Sequence, residues 1–129
     1  DATIAGRFEH IRAFERLLTE RGTKVIKLFL HISRDEQKKR LQERLADPTK
    51  RWKFRLGDLE ERKLWPQYME AFEDVLSKTS TEYAPWYVIP ANRKWFRDLA
   101  ISTILVDTLE GLKMNYPESE ENLDGVMIE

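Results

Sequence analysis

The sequence predicts an α/β fold: the second half of a doubly wound domain, helix-rich, with about two parallel strands. Three observations carry this. The elements run helix, strand, helices, strand, helix, an order that joins parallel strands through right-handed crossovers. The first strand is apolar on both faces, as in the interior of a parallel sheet. Two strands are too few for a sheet buried on both sides, so the chain of 129 residues reads as one domain or part of one.

The elements follow in order. Phe8, Ile11, Phe14 and Leu18 recur at helical spacing from about Arg7 to Arg21, and Gly22 stands where a helix end takes a left-handed residue. The run from Val25 to Ile32 is apolar apart from Lys27 and His31 and predicts the first strand. Ser33 with Glu36 forms a capping box, which starts a helix running to about Ala46. Its only large apolar residues are Leu41 and Leu45, so it leans on the core along one edge. Asp47-Pro48 ends it, and Pro48 to Gly57 is expected as a loop.

Asp58 with Glu61 reads as a second N-cap pair. Pro66 breaks or kinks the helix near Leu64-Trp65. Trp65, Tyr68 or Met69, Phe72, and Val75 or Leu76 mark the buried face of a helix ending near Lys78, and Thr79 to Thr81 are expected as loop. Trp86 to Ile89 is a short strand between prolines. Trp95, Leu99, Val106 and Leu109, flanked by Ile101 and Leu105, form a last helix closing at Gly111.

Composition narrows the classes. Charged residues make up 35%, above the usual quarter or so, which suits long solvated helices. The absence of cysteine excludes disulfides and thiolate chemistry. No apolar run approaches a membrane span, and Asp1-Ala2-Thr3-Ile4 does not read as a signal peptide. The expectation is a soluble, cytoplasmic protein with no membrane partner. Glu118, Glu120, Glu121, Asp124 and Glu129 lie in a stretch without a basic residue, so 118–129 is expected to be a disordered acidic tail.

Basic charge is concentrated elsewhere. Lys38, Lys39, Arg40, Arg44, Lys50, Arg51, Lys53 and Arg55 face only Glu43 and Asp47 in a chain of net charge −1. On charge alone a solvated helix face with ordinary pairing is the favoured reading. Against it, Lys50 to Arg55 interleaves cations with Trp52 and Phe54, and guanidinium forks with ammonium charges suit phosphate chains. Trp52 and Phe54 either stack on a base or pack the loop down. No glycine precedes a lysine, so a phosphate-cradling loop is absent. No strand ends in an Asp placed for magnesium. His10 and His31 lie far apart and read as helix surface and strand end.

Phe29-Leu30-His31-Ile32-Ser33, Glu36-Gln37, Arg40, Arg44, Asp47-Pro48, Lys50, Trp52-Lys53, Asp58, Trp65, Tyr68, Ala71, Thr79, Ala84-Pro85-Trp86 and Lys94 together resemble the second family of polyphosphate kinases, over roughly Arg7 to Pro117. The resemblance implies the C-terminal half of a P-loop kinase-like three-layer α/β/α domain over 1–117, with a lid at about 34–80. It implies phosphoryl transfer between inorganic polyphosphate and a nucleoside di- or monophosphate, with Mg2+ whose ligands are not in this chain. Arg40, Arg44, Lys50 and Lys53 fall on lid positions that grip polyphosphate. Asn92 and Lys94 fall near the nucleoside, and no catalytic residue or metal ligand is expected in this half.

The family's G-x-D-x-x-G-K loop and its later Asp-Arg pair are missing from this sequence. The expectation is therefore a fragment or a separately encoded half, inactive alone. Its first strand should present a free flank for the missing N-terminal half or for a second copy. Two alternatives use the same residues. One is a noncatalytic polyanion-binding module, for polyphosphate or, less in keeping with the lid, nucleic acid. The other is a structural or regulatory partner of a separate phosphate-loop chain.

Overall fold

The structure, a computed structural model, describes residues 2–118 and Met127; most of the expected acidic tail lies outside the described residues. The elements are α1 (Ala2–Glu20), β1 (Lys27–His31), α2 (Arg34–Ala46), a short 3-10 turn (Arg51–Lys53), α3 (Gly57–Lys63), α4 (Trp65–Thr79), β2 (Trp86–Pro90) and α5 (Lys94–Gly111). β1 and β2 pair in parallel, from Lys27 opposite Trp86 to His31 opposite Pro90. The order and the parallel pairing are those expected, and β1 is paired along one flank only among the described residues.

Local signals set the ends. Gly22, at φ +85°, closes α1 with paired bonds, Thr23 N–H to the Leu18 carbonyl at 3.1 Å and Gly22 N–H to that of Thr19 at 2.9 Å. α3 stops at Lys63 and α4 restarts at Trp65 with Pro66 in its first turn, where the missing N–H costs nothing. Several boundaries differ from expectation: among them, β2 runs on to Pro90 and α3 begins at Gly57. α1 begins earlier, at Ala2; the loop after Asp47 contains the 3-10 turn; Thr79 is the last residue of α4; and β1 is shorter than Val25 to Ile32. The β1 ladder lasts only as long as β2, which has five residues.

Lys27 is buried inside β1 rather than tolerated there. Its ammonium pairs with Glu15 of α1 at 2.8 Å, donates to the Thr79 carbonyl at 2.6 Å, and lies 5.2 Å from the Trp86 ring centre. One charge thus ties α1, β1, α4 and β2 together.

The apolar stripe of α5 behaves differently. Trp95, Leu99, Val106 and Leu109 are 50–63% exposed, and the buried hydrophobic residues among those described are Phe8, Ala84, Ile89 and Ala91. Periodicity marks a face that wants cover, but a sheet two strands wide is too narrow to give it.

Candidate functional site

A cavity of about 480 Å³ opens between the end of β1 and helices α2, α3 and α4; its lining includes Arg40, Arg44, Asp58, Glu61, Arg62 and Tyr68. In parallel sheets the carboxyl ends of the strands are where ligands bind.

α2 carries the first two of these residues. Ser33 caps it, accepting the Glu36 N–H at 3.2 Å. The expected return bond from Glu36 to Ser33 is not made. Asn92 Oδ1 accepts the Ser33 N–H instead, at 2.9 Å, and Glu36 accepts from Arg40 Nε at 2.8 Å. Arg40 Nη2 also donates to the carbonyls of Ala91 at 2.7 Å and Asn92 at 3.3 Å. Arg44, one turn on, lines the cavity with no carboxylate partner among the described residues.

α3 forms the facing wall. Asp58 does not cap it as expected, because α3 starts at Gly57; from the first turn Asp58 Oδ2 reaches back to the Arg55 N–H at 3.2 Å. Arg62 crosses to α2, donating to the Arg34 carbonyl at 2.8 Å and to Gln37 Oε1 at 2.7 Å. Glu61 accepts the Tyr68 hydroxyl rather than completing a capping box, and this bond raises the phenol above its ordinary pKa.

The loop beyond α2 is held by its own side chains. Asp47 accepts from the Thr49 N–H at 2.9 Å, the Thr49 hydroxyl at 2.7 Å and the Lys50 ammonium at 2.6 Å. The Lys50 hydrogen bond, with those from Thr49, holds the Asp47 carboxyl at about 2, and the same carboxylate raises Lys50. Trp52 is 77% exposed and donates its indole N–H to the Thr49 carbonyl at 3.1 Å. The Lys53 ammonium lies 5.1 Å from the Trp52 ring centre.

Of the residues singled out from sequence, Arg40 and Arg44 line the cavity; Lys50 and Lys53 sit on the loop outside its lining. Asn92 meets the lid through Ser33 and Arg40, while the Lys94 side chain, where α5 begins, makes no hydrogen bond or ion pair among the described residues. Asp58, Glu61, Arg62 and Tyr68 were not singled out as site residues. Their one signal was two acids and an arginine crowded just before a proline-broken helix. His31 ends β1 with its ring 5.9 Å from that of Phe29.

Parallel strands, a polar helix rooted at their ends and a basic loop define part of an α/β kinase-like domain. A profile of the polyphosphate kinase 2 family matches residues 1–117. The chain belongs to the polyphosphate kinase 2 family. It is 60% identical over 123 residues to an AMP/ADP-polyphosphate phosphotransferase of Meiothermus ruber, covering 95% of this chain and 46% of that protein. It is 48% identical over 113 residues to an ADP-polyphosphate phosphotransferase of Rhodopseudomonas palustris, covering 88% and 39%. The crystal structure of polyphosphate kinase 2 from Arthrobacter aurescens superposes with a TM-score of 0.91 at 47% identity, over 95% of this chain and 44% of that one. The chain thus spans less than half the length of these relatives.

Proposed function

We propose that residues 1–117 supply the C-terminal half, with a lid at about 34–80, of an enzyme that moves phosphoryl groups between inorganic polyphosphate and a nucleoside di- or monophosphate. The observation that carries this reading is Arg44, a cation without a carboxylate partner among the described residues, lining a cavity at the end of a parallel strand. The family relatives named for AMP and ADP support the nucleotide side.

Phosphoryl transfer asks a protein mainly for positioning and for neutralising charge. Among the described residues Arg44 and Lys53 have no acid to give up, Lys50 must first leave Asp47, and Arg40 already holds Glu36. Lys94 lies after β2, on the nucleoside side. Magnesium would neutralise phosphate oxygens in such an enzyme. Among the described residues no group of three or more His, Asp or Glu side chains gathers to hold it. The free flank of β1 and the exposed stripe of α5 suit a covering half that brings the phosphate loop, or a second copy. Without that loop the lid has nothing to close over, and the chain alone should not catalyse.

Competition between polyphosphate and duplex DNA at low salt tests the reading. A lid should prefer polyphosphate by at least about tenfold, because its cations are spaced along one short segment rather than across a duplex groove. Equal affinity would favour a general polyanion-binding module.

A further inference from the structure

The strand ends hold contacts that phosphate neutralisation does not use. The Ala91 N–H donates to the His31 carbonyl at 2.7 Å, adding a rung beyond the β1–β2 ladder. Asn92 then bonds Ser33 twice: Oδ1 accepts the Ser33 N–H at 2.9 Å, and Nδ2 donates to Ser33 Oγ at 3.2 Å. Two helical turns further, Arg40 returns across the gap to the Ala91 and Asn92 carbonyls at 2.7 and 3.3 Å. Its Nε is spent on Glu36 at 2.8 Å.

The outer lid is different. The side-chain hydrogen bonds and ion pairs of residues 43–55 reach no residue outside 39–58 among the described residues. One part of α2 is fastened to the loop after β2, whereas the polar side chains of residues 43–55 are fastened only to near neighbours.

We propose that Asn92 is a positioning residue which, with Ser33 and Arg40, latches the root of the lid to the loop after β2, so that the lid pivots beyond Arg40 and Arg40 does not neutralise phosphate. This rests on the phosphotransferase reading above. The latch fixes where α2 leaves the sheet, and so fixes where Arg44, one turn past the pivot, arrives. Loss of the latch should misplace Arg44 without removing any charge, a fault in the transfer step rather than in binding.

The test compares N92L, N92D, R40K and R44K in the intact protein that carries this chain, measuring phosphoryl transfer from polyphosphate to ADP and hydrogen exchange at the Ser33 amide. N92L keeps the shape of Asn92 but neither hydrogen bond, and should lower kcat at least about tenfold with the polyphosphate KM changed less than about threefold. N92D keeps an acceptor for the Ser33 N–H and should recover most of the rate. R40K should resemble N92L, since an ammonium cannot hold Glu36 and both carbonyls in Arg40's fork. R44K should lower kcat and raise KM together, because it displaces a charge that itself meets phosphate. Wild-type kcat in N92L, or an R40K that raises KM as R44K does, overturns the latch.

The exchange arm separates this failure from failure of the functional reading. If the protein neither binds polyphosphate nor transfers phosphate, the phosphotransferase reading falls. The latch then stands on exchange at Ser33 rising at least about tenfold in N92L and returning in N92D, and falls if the amide is unchanged.

Discussion

The salt dependence of polyphosphate binding follows from counting the cations able to meet phosphate. Lys38 to Arg55 contains eight basic residues. Three have carboxylate partners: Lys39 with Glu43 at 3.9 Å, Arg40 with Glu36 at 2.8 Å and Lys50 with Asp47 at 2.6 Å. Lys38 lies about 120° around α2 from Arg44, on another face. Arg44, Arg51, Lys53 and Arg55 remain. At about 0.7 counterions released per contact with a single strand, these four predict a slope of log affinity against log salt near −3. Between about 50 and 200 mM salt the affinity should then fall roughly sixtyfold. Anisotropy of end-labelled polyphosphate, titrated across that range, measures it. Arg44→Ala should reduce the slope by about 0.7. A slope near −5 would mean that the three paired cations bind too, and an unchanged slope in R44A would refute Arg44's place in the site.

Lys27→Met leaves Glu15 buried without its cation and should cost about 3–5 kcal/mol in urea unfolding, whereas Lys27→Met with Glu15→Leu should be close to neutral. The Asp47 contact exists above the ordinary carboxylate pKa of 3.8 and is lost as pH falls towards about 2, so its carboxyl 13C shift should titrate near 2 and not near 3.8. Asp47→Ala should speed tryptic cutting after Lys50 and Arg51, because the side chain that fixes Thr49 and Lys50 is gone. If a further half covers α5, Leu99→Asp should destabilise the covered protein by about 2 kcal/mol or more yet leave the chain alone nearly unaffected, as Leu99 is 57% exposed within it.

The element ends were legible because their causes are local. Ser33 starts α2, Gly22 stops α1, and Pro66 separates α3 from α4, each within a few residues of the signal. What joins distant residues was not legible. Asn92 meets Ser33 across 59 positions, and no pattern around either residue announces it. Local spacing also misled: Glu36 and Asp58 both sat in capping boxes by spacing, yet Glu36 turns to Arg40 and Asp58 Oδ2 accepts the Arg55 N–H. Lys27 stood out in sequence only as a break in an apolar strand, whereas burial against Glu15 and Trp86 makes it a tie between four elements.

The cations of residues 38–55 were visible as charge, but charge does not say which are already engaged. Arg40 and Arg44 look alike in sequence; one holds two backbone carbonyls and the other none. The α5 stripe was visible as period, and period does not say what covers it. The resemblance named the family, which the profile match over residues 1–117 bears out.

The most direct test of the account is ATP formation from ADP and polyphosphate by the intact protein carrying this chain, followed by luciferase in wild type and R44A. The account predicts polyphosphate-dependent ATP that falls about a hundredfold in R44A, as expected for losing one positioned charge at a transferring phosphate. Tight polyphosphate binding with no ATP formed, or ATP formed at equal rates in both proteins, would contradict it.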